Sequence, residues 1–189
     1  KGGEFYTPES IVKTIVAIGI GSAVFVILGR FASVPVPIPN TFAEMRYPFL
    51  ALMAALFGPV AAALIGFIGH ALKDLIFYGS PWWSWIICSG IIGFIYGWAL
   101  RKIDLKKGEF TLREMIYFNV VQIVANGVIW GLLAPLLDIL FYAEPASRVF
   151  AQGGVSAIVN SIAVGVVGTL LMKVYASTQT KKGSLSKDA

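Results

Sequence analysis

The feature that most constrains this chain is a series of long apolar runs separated by short connections. Hydrophobic residues make up 57% of the 189 residues and charged residues only 13%, whereas charged residues are roughly a quarter of a soluble domain. An apolar helix of about 20 residues crosses a bilayer, so the length leaves room for one bundle. The sequence predicts a single all-α membrane domain, a six-transmembrane-helix bundle, with helices at about 10–32, 45–57, 59–78, 82–101, 113–141 and 148–176.

Lysine and arginine indicate how this bundle is oriented. The 15 basic residues lie between and after the apolar runs, not in an aromatic-rich patch suited to nucleic acid, and basic loops favour the cytoplasm. With the N-terminus, the 58–59 turn, the 101–114 loop and the C-terminus on one face, 11 of the 15 lie there. We therefore expect both termini of this multi-pass membrane protein to be cytoplasmic. The 11 are Lys1, Lys13, Arg101, Lys102, Lys106, Lys107, Arg113, Lys173, Lys181, Lys182 and Lys187, which leaves Arg30, Arg46, Lys73 and Arg148.

The third apolar run carries the only histidine together with a lysine and an aspartate. His70, Lys73 and Asp74 are spaced i, i+3 and i+4, so on a helix their side chains point to one side. Counted from Pro59 at 1.5 Å per residue, they lie about 16 to 22 Å into a hydrocarbon layer of about 30 Å. Ionisable groups at such depth are costly and usually mark a pathway or a binding site. A Lys-Asp pair neutralised inside the bundle is the structural alternative.

Aromatic and proline-rich segments flank this cluster. Trp82, Trp83 and Trp85 follow the break at 79–81, where they would anchor the helix at the interface or wall an aromatic pocket. The first loop, 33–48, has alternating prolines, which exclude a helix and favour a stiff extended segment. With Asn40, Glu44 and Arg46 it is predicted to form an ordered lid.

Polar residues also recur in the last two runs. Asn119, Gln122 and Asn126 are spaced i, i+3 and i+7, and Trp130 continues this stripe at i+11, so one face of the fifth helix is polar with an aromatic end. Asn160 lies in the sixth run. We expect these side chains to face the same site.

Small residues mark two helix-packing faces. In the first run Ala17 and Gly21 share one face, and Gly19 and Ala23 form a neighbouring pair. In the fourth run Gly93-xxx-Gly97 is a typical close-contact spacing. These faces could pack against a helix of a partner protein or against another helix of this chain, and the sequence leaves both alternatives open.

Several activities lack their usual motifs. There is no HExxH and no second histidine, so His70 and Asp74 would supply at most two metal ligands. No GxxxxGK[ST] loop is present, so the chain itself is not expected to use ATP and no cofactor is expected in it. The two halves show no internal repeat of the kind found in secondary transporters. A membrane-embedded enzyme or a metal-binding permease that uses His70 and Asp74 remains the alternative function.

The six-run layout, the small-residue face of the first helix, the proline-rich loop, and GFIGHALKD followed by YGSPWWSW resemble the substrate-binding S component of an energy-coupling factor (ECF) transporter. The resemblance is to the uncharacterised-family branch linked to hydroxymethylpyrimidine- and pyridoxine-type vitamins. It implies a subunit that captures a heteroaromatic vitamin or precursor (hydroxymethylpyrimidine, pyridoxine or thiamine-related) at the outer face. A transmembrane T protein and two ATP-binding subunits would be its partners, and they would use the ATP.

The resemblance also implies roles for single residues. The T protein would dock on the face formed by Ala17, Gly19, Gly21 and Ala23. The vitamin would stack on tryptophans and accept or donate hydrogen bonds at the polar side chains. The expected substrate-binding residues are Asn40, Arg46, His70, Lys73, Asp74, Trp82, Trp83, Gln122, Asn126, Trp130 and Asn160.

Overall fold

The structure is a computed structural model that describes residues 8–179. The basic residues Lys1, Lys181, Lys182 and Lys187 lie outside this range. The described part of the chain is almost entirely helical, with one short β-hairpin after the first helix. The elements are α1 (Pro8–Phe31), β1 (Ser33–Pro35), β2 (Phe42–Glu44), α2 (Arg46–Tyr78), α3 (Trp83–Leu100), α4 (Leu112–Val128), α5 (Ala134–Tyr142), α6 (Ala146–Ala163) and α7 (Thr169–Thr178).

Five of the described helices are long and apolar enough to cross a membrane. α4 and α5 are joined by a π-helical turn at Ile129–Leu133 into one helix, and α6 and α7 are joined in the same way at Val164–Gly168. Large apolar side chains point outward along them, as at Leu140, which is 75% exposed. Lipid is the solvent that suits such a surface. The prediction of an all-α membrane protein is confirmed, with five such helices in place of the predicted six.

The structure has one helix fewer than predicted because α2 contains two of the predicted helices. Its chain direction reverses at Gly58. Gly58 has φ 88° and ψ −178° and is followed by Pro59, so the helical hydrogen-bond ladder breaks there. In a straight helix Leu50 and Gly66 would be about 24 Å apart. Instead Leu50 Cδ2 lies 3.4 Å from where a Cβ on Gly66 would be. The two halves of α2 therefore run side by side in opposite directions from the predicted 58–59 turn.

Glycines let α3 pack closely on the second half of α2. A Cβ on Gly93 would lie 2.4 Å from the Ala62 carbonyl oxygen, and one on Gly97 would lie 2.4 Å from Pro59 Cα. Contacts this short leave no room for any side chain at either position. The predicted close-contact face of the fourth run is thus used within this chain, and it fixes where α3 begins relative to His70.

The proline-rich connection forms the β-hairpin and stays extended, as prolines require. β1 and β2 pair antiparallel with Ser33 opposite Glu44 and Pro35 opposite Phe42. Met45 N–H donates to the Ala32 carbonyl at 3.1 Å, which closes the base of the hairpin. Its tip is tied to α6, because Gln152 Nε2 donates to the Pro39 carbonyl at 3.0 Å. The connection thus lies across the end of the bundle.

Candidate functional site

A cavity of about 570 Å³ opens at the end of the bundle beneath this hairpin. The hairpin, both ends of α2, the start of α3, the end of α5 and one face of α6 surround it. Its lining is polar and aromatic, unlike the apolar outer surface. The lining residues are Asn40, Thr41, Phe42, Glu44, Arg46, Tyr47, His70, Lys73, Asp74, Tyr78, Ser80, Trp82, Trp85, Asp138, Glu144, Arg148, Val149, Gln152, Ser156 and Asn160.

The predicted site residues divide into two groups in the structure. Seven line the cavity, and four lie elsewhere. The lining seven are Asn40, Arg46, His70, Lys73, Asp74, Trp82 and Asn160; the four that the structure places outside the lining are Trp83, Gln122, Asn126 and Trp130.

Glu44 is the centre of the charged part of the cavity. Arg46 Nε donates to Glu44 Oε2 at 2.7 Å, and Lys73 Nζ lies 3.9 Å from Glu44 Oε1. All three side chains are buried. Because Glu44 ends β2 while Lys73 lies near the end of α2, this carboxylate joins the hairpin to the helix.

His70 and Asp74 lie one helical turn apart on α2, and both line the cavity. His70 Nδ1 and Ser89 Oγ are 2.6 Å apart, and Ser89 Oγ is also 2.9 Å from Tyr47 OH. His70 Nε2 lies 3.7 Å from Asp74 Oδ1, which is beyond hydrogen-bond distance. Asp74 Oδ2 instead accepts the Trp82 backbone N–H at 3.0 Å. Asp74 Oδ1 therefore remains available on the cavity side.

Asp138 positions the aromatic wall, by which we mean Trp82 and Trp85. Its Oδ1 accepts Trp82 Nε1–H at 2.8 Å and the Ser84 hydroxyl, and its Oδ2 accepts Trp85 Nε1–H at 2.8 Å. Trp82 also stacks on Tyr142, with ring centroids 4.0 Å apart. Asp138 is 2% exposed, so one buried carboxylate of α5 fixes the start of α3 and both indoles.

Gln122, Asn126 and Trp130 form a saturated layer behind that wall. Gln122 Nε2 donates to the Ser161 carbonyl at 3.0 Å, and Asn126 Nδ2 donates to Tyr96 OH at 2.7 Å. Trp130 Nε1 donates to Asn126 Oδ1 at 2.9 Å, and its ring stacks on Trp85 at 5.3 Å. The expected ligand contacts of this stripe are made by protein atoms instead, because α3 and α6 pack directly against it.

Trp83 faces outward. It is 45% exposed and stacks on Phe67 with centroids 6.1 Å apart. Its backbone N–H donates to Tyr142 OH at 3.0 Å. Of the two adjacent tryptophans, only Trp82 lines the cavity, since Trp83 is the first residue of α3 and points to its other side.

Several lining residues are not among the expected substrate-binding residues, above all Asp138; Trp85, expected only as an anchor or a pocket wall, also lines the cavity. Asp138 is the lone carboxylate in the apolar segment 131–142, and an isolated acid in a membrane span is itself a signal of a site. Glu144 precedes α6, and Arg148 and Gln152 lie in its first two turns. They are harder to detect, since polar residues are common at a helix start and do not by themselves indicate a site.

The small-residue face of α1 is divided between inside and outside. Ala17 and Gly21 are buried, and a Cβ on Gly21 would lie 2.7 Å from Ile65 Cδ1. Gly19 and Ala23 are exposed, with nothing within 4 Å of a Cβ on Gly19. Only the second pair is therefore accessible to another protein.

Between residues 8 and 179 no group of three or more His, Cys, Asp or Glu side chains is arranged to hold a metal ion. His70 has Ser89 at one ring nitrogen and Asp74 as its only nearby carboxylate partner. The polar groups of the cavity are instead spread over its walls, an arrangement typical of small-molecule sites.

Comparison with known proteins agrees with this architecture. A family model described as the ECF-type riboflavin transporter S component matches residues 10–177. A UPF0397 protein of Enterococcus faecalis (strain ATCC 700802 / V583) is 68% identical over 177 residues, covering 94% of this chain and 97% of that protein. A UPF0397 protein of Staphylococcus aureus (strain MSSA476) is 59% identical over 177 residues, covering 94% and 96%.

One solved structure has the same fold. The crystal structure of FolT bound with folic acid matches with a TM-score of 0.62 and 19% identity, over 85% of this chain and 97% of that chain. At this identity the likeness concerns the fold alone.

These matches identify the protein family and, with it, the general kind of activity. The matched family consists of transporter subunits, which confirms the resemblance to S components and the prediction that the chain is not an enzyme. Together with the five apolar helices, it also confirms a multi-pass protein of the cell membrane. The chain belongs to the family of ECF-type riboflavin transporter S components.

Proposed function

We propose that this chain is the vitamin-capturing S component of an ECF-type importer. It binds a small heteroaromatic vitamin or precursor, of the hydroxymethylpyrimidine, pyridoxine or thiamine-related class, in the cavity beneath the hairpin. The observation that carries the proposal is this cavity of about 570 Å³, which combines an indole wall with buried charged side chains inside a membrane bundle.

Size and lining both support a small planar ligand. Ligand sites are typically about 300 to 1,000 Å³ and place a few polar groups among apolar and aromatic ones. Trp82 and Trp85 offer flat surfaces for a ring, while Asp74 and Asn160 offer hydrogen bonds. Ionisable groups inside a membrane span are expensive and are retained where they serve transport.

The cavity opens to the outside in this proposal. The two halves of α2 count as separate passes, which gives six segments and places both termini in the cytoplasm. The first half, 46–57, is about 18 Å long. Lys106 Nζ lies 5.6 Å from the Phe57 ring, so the turn end of this half lies at the basic face and its cavity end lies within the bilayer. Of the described basic residues, seven lie at the end opposite the cavity, in keeping with a cytoplasmic face; they are Lys13, Arg101, Lys102, Lys106, Lys107, Arg113 and Lys173.

The energy for transport comes from partners. A transmembrane T protein and two ATP-binding subunits take the loaded S component and use ATP, while this chain uses no cofactor of its own. The exposed small residues Gly19 and Ala23 allow a partner helix to approach α1 closely. The surrounding lipid covers the remaining apolar surface.

Purification of the chain alone tests the proposal. We expect the detergent-solubilised protein to release a heteroaromatic small molecule that mass spectrometry identifies, and to bind the same molecule again with quenching of tryptophan emission. Asp74→Ala and Trp82→Ala should abolish this binding while the proteins still insert and remain monodisperse. Trp98→Ala is the control, because Trp98 is 51% exposed on the lipid-facing surface. If affinity is unchanged in Asp74→Ala and Trp82→Ala, the cavity is not the binding site.

A further inference from the structure

Two of the residues that line the cavity each have a buried polar atom without a hydrogen-bond partner. The two atoms are Arg46 Nη1 and Asn160 Oδ1, in residues that are only 4% and 3% exposed. Within residues 8–179 the side-chain amide of Asn160 makes no hydrogen bond at either end. A buried donor or acceptor without a partner destabilises a fold by about 1–3 kcal/mol. Arg46 Nη1 lies toward α1, 3.4 Å from where a Cβ on Gly29 would be, and its guanidinium lies over the Phe25 ring. The partner that Asn160 lacks is the more informative one, because a ligand in the cavity that Asn160 lines can supply it.

The chemistry of Asn160 restricts what that ligand carries. A carboxamide presents one acceptor and a pair of donors side by side. Its complement is a flat edge with a donor next to an acceptor, such as an amino group beside a ring nitrogen. Asparagine recognises adenine through such an edge. An amide with both ends free is therefore suited to bidentate pairing with a nitrogen heterocycle.

The charges of the cavity restrict the ligand further. Each of the three cations that line it has a carboxylate within 4 Å: Arg46 and Lys73 share Glu44, at 2.7 and 3.9 Å, and Arg148 lies 3.9 Å from Glu144. Asp74 and Asp138 add two further carboxylates to the lining. The described lining thus carries three cations against four carboxylates, a balance that disfavours a phosphate or a carboxylate on the ligand.

We infer that the ligand is a non-anionic, planar nitrogen heterocycle and that Asn160 pairs with a donor–acceptor edge of its ring. The inference rests on the proposed function and narrows it. The aminopyrimidine ring of hydroxymethylpyrimidine and of thiamine has such an edge. The pyridine ring of pyridoxine does not, because the two carbons beside its nitrogen carry a methyl group and a hydrogen, and neither is a hydrogen-bond donor.

Titration with matched probes tests the inference. The probes are 4-amino-5-hydroxymethyl-2-methylpyrimidine, its analogue without the amino group, its phosphate ester, and pyridoxine. For the wild type we expect the amino compound to bind about 5- to 150-fold more tightly than the analogue, the span that corresponds to one unpaired buried group, and more tightly than the ester and pyridoxine.

Variants of Asn160 assign this discrimination to one side chain. In Asn160→Ala the preference for the amino group should fall to nearly none, and the ligand-free melting temperature should not drop, because the side chain has no protein partner to lose. Asn160→Asp, which replaces the donor by a second acceptor, should also lose the preference. Asn119→Ala is the control, since Asn119 bonds to Thr169 and does not line the cavity.

The results separate the inference from the proposed function. A preference that is unchanged in both Asn160 variants overturns the inference, as does tighter binding of pyridoxine or of the phosphate ester by the wild type. Either result is still consistent with the proposed function, a vitamin-binding subunit. A wild-type protein that binds none of the probes and carries no small molecule through purification overturns the proposed function and the inference with it.

Discussion

Asp138→Asn is expected to loosen the aromatic wall, although asparagine has nearly the same shape as aspartate. The amide oxygen can still accept from Trp82 Nε1 and Ser84, but the amide nitrogen then faces Trp85 Nε1–H, a donor against a donor. A lost bond to a charged group and a buried donor without a partner each cost about 1–3 kcal/mol. Burying the neutral amide costs less desolvation free energy than burying a carboxylate, and this offsets part of the lost stability.

We therefore expect a net loss of about 1–3 kcal/mol in the free energy of unfolding, which lowers the melting temperature by roughly 2–10 °C for a chain of this size. Asp138→Ala should lower the free energy of unfolding further, because it leaves three donors unpaired: both indole N–H groups and the buried Ser84 hydroxyl. Thermal unfolding of the detergent-solubilised protein measures the loss, and near-ultraviolet circular dichroism reports the tryptophan environment. Asp104→Asn is the control, since Asp104 pairs only with the exposed Lys107. A melting temperature and a tryptophan spectrum both unchanged in Asp138→Asn would refute the assignment of Asp138 to this role.

Three further predictions concern the backbone and the cavity. Gly58→Ala should lower the free energy of unfolding by about 1–3 kcal/mol, measured by thermal melting, because φ 88° with ψ −178° is essentially a glycine conformation; an unchanged melting temperature would contradict it. Gly93→Leu should abolish monodisperse elution from size-exclusion chromatography, whereas Gly127→Leu, with open space around its Cβ, should elute normally. Trp82→Phe should remove much of the ligand-induced quenching of tryptophan emission, and Trp98→Phe should leave the quenching intact; equal quenching in the two variants would place the ligand away from Trp82.

Local sequence patterns predicted the parts of the fold that depend on local physics. Apolar length gave the helices, and the pair Gly58-Pro59 marked the reversal of α2, since glycine adopts positive φ freely and proline suits the first turn of the next helix. The i, i+3, i+4 spacing of His70, Lys73 and Asp74 places them together on the cavity side. Each of these inferences uses residues of a single continuous segment of the chain.

The stripe of Gln122, Asn126 and Trp130 shows what such patterns leave undetermined. Periodicity established that one helix face is polar, but it does not say which element covers that face. Here Tyr96 from α3 and the Ser161 carbonyl from α6 satisfy the stripe. Whether a polar face meets protein or ligand depends on contacts between segments 30 to 40 residues apart in the chain, and no alternation or spacing within one segment encodes them.

Hydrogen-bond pairing, rather than burial, separates the structural polar groups of this bundle from those available to a ligand. Gln122, Asn126 and Asn160 are all at most 3% exposed, so burial alone does not distinguish them. The first two have protein partners for their amides, whereas Asn160 has an acceptor with none. A buried amide left unpaired is therefore stable only where the fold leaves space beside it, and in this chain that space is the cavity beneath the hairpin.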